Sequence, residues 1–509
     1  MQQSKTDYNY LSNVIGEIQD QPAYRKQADR EADYCDGNQL NSALLQELES
    51  KGIPPAIENQ TGPCVRDICG MEAKTREDWR VQPDGENPDA EADQVAKAIG
   101  YRLHQAESRS RADRALSEAY ASMVKTGIGW VEVDREQNPF LFPYRCRAVH
   151  RNEIWWDWYS KEPDLSDARW LLRRRWVDMA VPQMMWPKHK ELIKQSVSGF
   201  ANVDDLAMID GGSSTDLAQS WDIERSWTVE EMEWRDTTNR RVCIFQLLSR
   251  EWREAQILRL PGGRVVEFNR NDPMHVMAIT KAGIPVENAT VTDVFRDFYL
   301  GPHKLSSEKL EWNRFNFVPV WGNREDRTNV PYGVIRWLMF LQDELNARIS
   351  KMHWLLSATQ TTRTDGAVAM PDEVFRQEVA RPDADIVLDQ KHMAKPGAMF
   401  EITRNLDLNS KQYERIVDIR EAFKRIAGVS DAFSGQGGAD TASGLSQLIE
   451  QSMQSLADMN DNFKDSRMQV GDLLMTMIVN DIGKEQTDVV VRGDAVKEKE
   501  GITGNARTT

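Results

Sequence analysis

The spacing of apolar residues divides the chain into helical and strand-like stretches. Within residues 41–51, Leu44 and Leu48 lie on one helical face, and Gly52 follows the segment. The first third is therefore expected to consist of short packed helices, with a strand-like alternation around Trp79. The other predicted helices of this region cover residues 23–34, 60–74, 89–105 and 108–125.

Between residues 140 and 320 the pattern changes to short runs rich in Trp, Val, Ile and Phe, bounded by turn residues. Such runs predict strands. Residues 243–248 form one compact apolar run, and Pro261-Gly262-Gly263 separates two apolar pairs as the turn of a β-hairpin would. Residues 202–219 are polar and lack periodicity, so a surface loop is expected there.

Helical spacing returns after residue 333, over residues 334–360 and again over residues 411–427. The second of these helices has an apolar stripe made of Tyr413, Ile416, Ile419, Phe423 and Ile426. The two helices bracket a small α/β segment. Its predicted elements are a helix at residues 371–378 and strands at residues 385–388 and 399–402.

A glycine-rich stretch follows, and a long helix is then predicted over residues 443–482, with Gly471 as a position where it could bend. Residues 483–509 form a charged tail. The whole pattern predicts a mixed α+β fold that is mainly helical. It has a β-rich section, two helices around a small α/β unit, and a long C-terminal helix.

Charge and hydropathy narrow the classes of function. Acidic residues outnumber basic ones by 80 to 64, so a surface that grips nucleic-acid phosphates throughout is excluded. The most apolar window, residues 334–341, contains Arg336 and is far shorter than the roughly 20 residues that cross a bilayer. Residues 1–20 contain no apolar core of a secretory signal. No membrane association and a cytoplasmic origin are therefore expected.

The residues that usually carry chemistry do not form recognisable motifs. The five cysteines are scattered, and Cys64 and Cys69 lack the spacing and further ligands of a zinc site, so buried thiols and no metal are predicted. The glycine-rich stretch lacks the Lys-Ser/Thr of a phosphate-binding loop. His-Glu-x-x-His and Gly-x-Ser-x-Gly are absent from the sequence. We therefore predict no catalytic residues and no cofactor.

Three residue clusters invite a binding interpretation but favour a structural one. Arg173-Arg174-Arg175 could contact nucleic acid, although ion pairs within the fold are favoured. Trp155-Trp156-Asp157-Trp158 could stack on bases, although packing is favoured. The methionines of the long helix are interpreted as core residues rather than a recognition groove; they are Met453, Met459, Met468, Met475 and Met477.

Several short motifs, taken in order, are similar to those of one known family. In the first part they are Tyr34, Gly37, Gln39-Leu40, Gly52, Pro54-Pro55, Asn59, Gly70, Glu72, Arg76, Asp78, Val81 and Pro83. Further on they are Gly127-Ile128-Gly129, Glu132, Ile154-Trp155-Trp156-Asp157, Ser160, Ser166-Asp167-Ala168-Arg169-Trp170, Pro331-Tyr332-Gly333, Gln342-Asp343-Glu344, Asn346 and Ala442-Ser443-Gly444. With these residues the chain resembles the portal proteins, the head-to-tail connectors of tailed bacteriophages, in the form found in short-tailed phages.

The resemblance implies a division of the chain into named parts. These are a wing (1–330), stem helices (331–360 and 411–428), a clip between them (361–410), a channel loop (429–442), a helix leading to a crown (443–482) and a reduced crown or tail (483–509). It implies that the channel loop lies near DNA through Ser434, Gly435, Gln436, Gly437, Gly438, Asp440 and Thr441. It also implies that partners dock on the clip, where the candidate residues are Arg363, Asp365, Asp372, Glu373, Arg376 and Arg381.

The resemblance further implies a dodecameric ring at one capsid vertex of the virion, assembled in the host cytoplasm, with double-stranded DNA passing through it. The implied partners are the terminase large subunit, the head-completion or tail adaptor proteins, and the major capsid and scaffolding proteins. One alternative is a nuclease or ATPase component of the same DNA-packaging machinery, and another is a capsid scaffold or tail subunit. An acidic channel wall suits passage of DNA, because a basic wall would hold the phosphates.

Overall fold

The computed structural model is a mixed arrangement of helices and antiparallel sheets, as the apolar spacing predicts. The structure describes residues 2–40, 42–50, 53–75, 78–82, 90–198, 235–236, 241–259, 265–270, 273–301, 303–357, 360–379, 385–403, 406–428 and 456–484. Within these residues, no helix is both long and apolar enough to cross a membrane.

The N-terminal region is helical. Its elements are α1 (Gln2–Gln19), α2 (Arg25–Asp36), α3 (Ser42–Ser50), α4 (Thr61–Thr75), α5 (Ala90–Ser110) and α6 (Ala112–Thr126). Both α2 and α6 end at a glycine with positive φ, Gly37 at +93° and Gly127 at +84°. This left-handed conformation closes the last helical turn at little cost when the residue is glycine.

The strands form antiparallel sheets. A three-stranded sheet has the order β10-β1-β2, and a larger sheet has the order β3-β4-β6-β8-β9, with β5 and β7 paired to β6. The strands are β1 (Ile128–Arg135), β2 (Tyr144–Val149), β3 (Ile154–Trp156), β4 (Trp170–Asp178), β5 (Arg235–Asp236), β6 (Arg241–Arg259), β7 (Val265–Glu267), β8 (Val286–Leu300), β9 (His303–Lys309) and β10 (Phe317–Trp321). The predicted hairpin is confirmed, since Leu258 pairs with Val266.

The remaining elements complete the chain. Three short helices lie between strands of the larger sheet in chain order: α7 (Ala180–Met185), α8 (Lys190–Ser198) and α9 (Pro273–Ala282). Strand β11 (Asn323–Arg324) pairs with β12 (Pro331–Tyr332). The elements that follow are α10 (Ile335–Ser357), β13 (Gln360–Arg363), α11 (Asp372–Val379), α12 (Gln390–Met393), β14 (Phe400–Thr403), α13 (Leu406–Ala427) and α14 (Ala457–Lys484). Strands β13 and β14 pair antiparallel.

Two apolar cores hold these elements together. The larger core joins helices α2 and α4–α6, the three-stranded sheet, α10, α13 and α14. The smaller core packs Leu11, Val14, Ile15 and Ile18 of α1 against β4, β6 and β8 of the larger sheet. The helical hairpin of α10 and α13 is therefore continuous with the main core.

Two of the glycine motifs noted in the sequence meet where α6 turns into β1. A Cβ atom on Gly127 would lie 2.1 Å from the Tyr332 backbone nitrogen, and one on Gly333 would lie 2.3 Å from the Val124 carbonyl oxygen. No side chain fits at either position, because real Cβ contacts are longer than 3 Å. The Val334 N–H donates to the Val124 carbonyl at 2.9 Å, so α10 begins directly against the end of α6.

An extended segment, residues 53–60, is held along α10 by three buried polar side chains. The backbone N–H groups of Ala56, Glu58 and Gln60 donate to Ser350 Oγ at 3.0 Å, Asn346 Oδ1 at 3.1 Å and Gln342 Oε1 at 3.1 Å. Two residues of extended chain advance about 6.6 Å. Four residues of a helix advance about 6 Å. Alternate residues of the segment therefore match every fourth residue of the helix.

Further hydrogen bonds extend this polar ladder to α2. Gln342 Nε2 donates to the Glu58 carbonyl at 2.8 Å, and Asn346 Nδ2 donates to Gln39 Oε1 at 2.6 Å. Gln39 Nε2 in turn donates to the Tyr34 carbonyl at 2.9 Å. Since Gln342, Asn346 and Ser350 are 0%, 2% and 3% exposed, these bonds satisfy groups that water does not reach.

The helix predictions agree closely with the structure. The helix predicted at residues 334–360 is α10, and the one predicted at 411–427 is α13, which begins five residues earlier. The predicted helix at 371–378 is α11, and the strand at 399–402 is β14. The loop at residues 202–219, residues 443–455 and the tail beyond residue 484 lie outside the described residues.

Two strand predictions were wrong. Residues 385–388 do not form a strand and make a single bridge, between Leu388 and Val368. Residues 78–82 contain no strand, because Trp79 packs on α14 and its Nε1 donates to the Arg467 carbonyl at 3.1 Å. The apolar alternation around Trp79 therefore reflects contact with α14 and not pairing with a neighbouring strand.

The long C-terminal helix also differs from its prediction in detail. Helix α14 continues through Gly471 without a break, and a Cβ atom there would lie 3.0 Å from the Trp79 ring. The glycine therefore makes room for the indole. Met459 and Met477 are buried as predicted, but Met468 is 65% exposed and is not a core residue; Met453 lies outside the described residues.

The polar ladder makes a testable contribution to stability. In Asn346→Leu the Glu58 N–H and Gln39 Oε1 lose their partner, and each buried unsatisfied group costs about 1–3 kcal/mol. We expect the free energy of unfolding, measured by urea denaturation, to fall by at least about 2 kcal/mol. Lys351→Leu, on an exposed position of the same helix, is the control and should change it by less than about 0.5 kcal/mol. Equal effects of the two substitutions would contradict the ladder's role.

Candidate functional site

The helices α10 and α13 form a long hairpin in the second half of the chain. With 23 and 22 residues, the two helices are about 35 and 33 Å long. Arg348 Nη1 donates to Gln412 Oε1 at 3.0 Å, and Arg415 Nε lies 3.4 Å from Glu344 Oε1, so the helices run antiparallel. Their shared apolar stripe includes Leu345, Ile349, Ile416, Ile419 and Phe423, all of them buried.

Charged groups of the hairpin pair within the chain. Arg420 donates to both carboxylate oxygens of Glu58, at 2.8 and 2.6 Å, and these bonds lower the pKa of Glu58. Burial alone would raise the pKa of Glu344, but hydrogen bonds from Arg348 and Arg415 outweigh it and lower that pKa. These three arginines are therefore compensated within the subunit and are not free to hold a polyanion.

The outer face of α10 is apolar at both ends. Trp337, Phe340 and Trp354 are 41%, 75% and 38% exposed, and they lie on one face because their spacing follows the helical turn. On α13, Tyr413 and Ile426 belong to the predicted apolar stripe but are also exposed, at 58% and 42%. Exposed aromatic groups in a row mark a contact surface for another chain.

The unit that connects the two helices, residues 360–403, is built around one arginine. Arg363 forms an ion pair with Asp372, and its guanidinium lies 4.2 Å from the centroid of the Phe375 ring. Phe375 is 3% exposed and makes an edge contact with Phe400, with ring centroids 6.3 Å apart. Helix α11 is thereby held against the β13-β14 ribbon.

The six candidate docking residues of this unit are not equivalent. Arg363 and Asp372 face each other and hold α11 in place. Asp365, Glu373 and Arg376 are exposed and are available to a partner. Arg381 lies outside the described residues. The structure thus shows which of these residues make internal contacts and which lie on the surface. The sequence alone could not make this distinction.

The connecting unit has a small interior and an apolar exterior. Among its described residues, Ala367 and Phe375 are the buried apolar ones, whereas Val374, Val387, Met399 and Ile402 are 41–58% exposed. Thr364 Oγ1 and His392 Nε2 are hydrogen-bonded at 3.2 Å, which connects the segment after β13 to α12. So little buried area is typical of a unit that gains further contacts in an assembly.

The seven candidate residues of the glycine-rich loop lie outside the described residues. They are Ser434, Gly435, Gln436, Gly437, Gly438, Asp440 and Thr441. The chain enters this stretch from α13, where Ala427 is 1% exposed and Gly428 has φ +69°. The described residues resume at Leu456, which is 3% exposed. The residues on either side of the stretch, Ala427 and Leu456, both belong to the main core.

The arginine and tryptophan clusters have structural roles. Arg173 is 5% exposed, and it donates to Glu132 Oε1 at 2.8 Å and to Glu153 Oε2 at 3.0 Å. Burial would raise the pKa of Glu132, but the charges of Arg173 and its neighbours outweigh burial and lower it. Trp155 and Trp156 are 1% and 2% exposed, so packing is confirmed for them.

The thiols offer no reactive site. None of the five cysteines forms a disulfide; Cys35, Cys64, Cys146 and Cys243 are buried, and Cys69 is half-buried. Burial raises the pKa of Cys64 and of Cys69 to about 11. Both thiols are therefore protonated, and weakly nucleophilic, at neutral pH.

Similarity to known proteins extends along nearly the whole chain. The model of the phage P22-like portal protein family matches residues 13–507. The chain belongs to this portal protein family. A curated portal protein of Helicobacter pylori bacteriophage KHP30 is 24% identical over 140 residues, which make up 27% of this chain and 22% of that protein. This similarity spans less than a quarter of the curated relative, and the family confirms the resemblance seen in the sequence.

Several residues of the family motifs form the buried hydrogen bonds described above. Gln39, Asn59, Gln342 and Asn346 form the polar ladder and its continuation, with Gln39 Nε2 3.3 Å from Asn59 Oδ1. Burial would raise the pKa of Asp157, but hydrogen bonds from Arg169 outweigh burial and lower it. The sequence identified these residues as family motifs, but it did not show which residues they contact.

Sequence analysis did not single out Ser350 or the exposed face of α10, although their helical spacing was visible in the sequence.

The arginine at the centre of the connecting unit gives a prediction for the portal protein. Arg363→Ala removes an ion pair and a cation–π contact, each worth about 1 kcal/mol or less at a partly exposed site. We expect hydrogen exchange to become at least a few-fold faster in residues 360–403 and to stay unchanged in α10. Arg376→Ala, exposed on α11, is the matched control. Slower or unchanged hydrogen exchange in Arg363→Ala would show that contacts other than those of Arg363 hold the connecting unit together.

Proposed function

We propose that this protein forms a dodecameric ring at one vertex of the phage capsid, through which double-stranded DNA enters during packaging and leaves during ejection. The family membership supports a structural component of the phage head. The proposed location is the portal vertex of the virion, after assembly in the host cytoplasm. The ring itself requires that each subunit present a surface that a second copy covers.

The exposed aromatic face of α10 is the observation that carries this proposal. Trp337, Phe340 and Trp354 lie on the outer side of a hairpin whose inner side is already packed. Tyr413 and Ile426 of α13 offer a second exposed apolar surface. Two different surfaces on one hairpin suit a head-to-tail contact, and repeated head-to-tail contacts close into a ring.

The parts of the ring follow the chain order. In this proposal residues 1–330 form the wing, α10 and α13 the stem, residues 361–410 the clip, residues 429–442 the channel loop, residues 443–482 the helix that leads to the crown, and residues 483–509 a reduced crown or tail. The wing is placed to contact the major capsid and scaffolding proteins. The polar ladder then fixes the wing to the stem through residues 53–60.

The clip is proposed to dock the terminase large subunit during packaging and the head-completion or tail adaptor proteins afterwards. Asp365, Glu373 and Arg376 are exposed there and supply charges of both signs. Exposed Val387 and Met399 supply apolar contact area beside them. A surface of mixed charge and apolar groups suits exchange of partners, because no single strong ion pair dominates it.

DNA contact is proposed to be weak and to involve the channel loop. The excess of acidic residues in the chain opposes tight phosphate binding. A glycine-rich loop, anchored at both ends by Ala427 and Leu456, can touch DNA without holding it at one register. We infer that the protein acts without catalytic residues and that another chain supplies ATP hydrolysis.

Ring formation is tested by a charge on the exposed face of α10. Phe340→Glu places a carboxylate in the proposed subunit contact, and loss of a central aromatic contact costs about 2 kcal/mol or more per interface. We expect the variant to remain a folded monomer in native mass spectrometry, while the unaltered chain shows closed rings in electron micrographs.

The same substitution elsewhere is the control. Phe140 is 94% exposed in the turn between β1 and β2, so Phe140→Glu should leave ring formation intact. The circular dichroism spectra of the Phe340→Glu monomer and the Phe140→Glu ring must match, which separates lost assembly from lost folding. Rings formed by Phe340→Glu would exclude this face as the subunit contact, and a purified chain that stays monomeric under all conditions would exclude the proposal.

The channel loop is tested by deletion of residues 435–438. We expect rings to form normally and the amount of DNA packaged or retained in heads to fall several-fold. Deletion of residues 211–214, which are Gly-Gly-Ser-Ser, is a control of equal length and similar composition. Normal DNA content in particles with the loop deletion would remove the loop's proposed role while leaving the ring unaffected.

A further inference from the structure

Three side chains that can bind metal converge beside α14. One ligand atom each from Asp78, His104 and Glu107 lies within 4.8 Å of the other two. His104 and Glu107 are three residues apart on α5 and so project from the same face of the helix. Asp78 reaches them from the segment 78–82, which carries no regular secondary structure.

Glu107 is held in position by an arginine of α14. Arg467 Nη2 donates to Glu107 Oε1 at 2.6 Å, and Arg467 Nη1 donates to Asp113 Oδ1 at 2.9 Å. The second oxygen of Glu107 lies 3.5 Å from His104 Nδ1, on the side of the cluster. Because Glu107 is 3% exposed, its orientation is set by the fold, as is usual for a carboxylate ligand with an outer hydrogen bond.

Negative charge is in excess around this position. The carboxylates of Asp78 and Asp113 lie near Glu107, and Arg467 and His104 are the nearby cationic or basic groups. Three carboxylates thus face one guanidinium. A dication at the cluster would compensate this charge and complete the hydrogen-bonded arrangement.

We propose that Asp78, His104 and Glu107 bind a divalent first-row transition-metal ion. An imidazole with two carboxylates favours such ions over Mg²⁺ and Ca²⁺, which prefer oxygen ligands alone. Bonds of about 2.1 Å place neighbouring tetrahedral ligand atoms about 3.4 Å apart. His104 Nδ1 and Glu107 Oε2, at 3.5 Å, already match this spacing, and the Asp78 carboxylate closes the remaining distance by a small side-chain movement. Water completes the coordination. Sequence analysis predicted no metal, because Asp78 and His104 are distant in the chain.

The ion would connect three parts of the protein. Trp79, next to Asp78, packs on Gly471 and donates to the Arg467 carbonyl at 3.1 Å. A metal bound at Asp78 therefore fixes the segment 78–82 both to α5 and to α14. The role is structural, and it is independent of the proposed ring and channel.

The site is tested with Co²⁺ on the full-length protein after EDTA treatment. We expect one saturable site per chain by calorimetry, with new visible absorption bands and a higher unfolding temperature. Asp78→Asn and His104→Ala should each weaken Co²⁺ binding at least tenfold. Both residues are exposed, so these variants should unfold at the temperature of the unaltered chain when EDTA is present.

Control variants separate the site from non-specific binding. His189→Ala and Glu118→Gln remove one imidazole and one carboxylate elsewhere on the surface and should leave Co²⁺ binding unchanged. If His104→Ala binds Co²⁺ as tightly as the unaltered chain, or if the unaltered chain shows no saturable binding, the proposed site does not exist.

Discussion

The structure depends on how an extended segment without secondary structure is attached to the long helix α10. Its backbone N–H groups at Ala56, Glu58 and Gln60 have no strand partner, and Gln342, Asn346 and Ser350 satisfy them instead. Buried backbone groups without partners would each cost about 1–3 kcal/mol. Because the bonds are directional and repeat at matched spacing, they fix both the position and the register of the N-terminal region along the hairpin. Apolar packing alone would permit sliding.

The hairpin held in this way leaves part of its apolar surface uncovered within the subunit. Its inner stripe is buried, yet Trp337, Phe340 and Tyr413 remain exposed and the connecting unit buries little of its apolar surface. A monomer gains nothing from exposed aromatic groups, whereas an interface between copies buries them. The ladder and the exposed face then serve one purpose in the proposed ring. The ladder keeps the hairpin at a fixed angle to the wing, and ring closure requires a fixed angle between neighbouring subunits.

Much of this fold could be predicted from helical periodicity. The contacts between segments that are distant in the chain could not be predicted. Helices α10, α11 and α13 follow from local spacing, because burial of one helical face is encoded every three or four residues. The prediction of a strand at residues 385–388 was wrong, because strand pairing depends on a partner that spacing does not reveal. The sequence could not tell whether Tyr413 is covered by its own chain, and it gave no sign that Asp78 meets His104 and Glu107. The loop of residues 434–441 remains a prediction.

Charge compensation within the subunit decides what a channel built from this chain would offer to DNA. Glu344 pairs with Arg348 and Arg415, and Glu58 pairs with Arg420, so these three arginines of the hairpin are already engaged. The proposed ring would retain the excess of acidic residues, 80 against 64 in each subunit. Repulsion from an acidic channel wall is screened over about 8 Å at physiological salt, so it would act only when the duplex approaches one side. In the proposed ring, a symmetric acidic wall would centre the DNA and leave it free to slide along the axis.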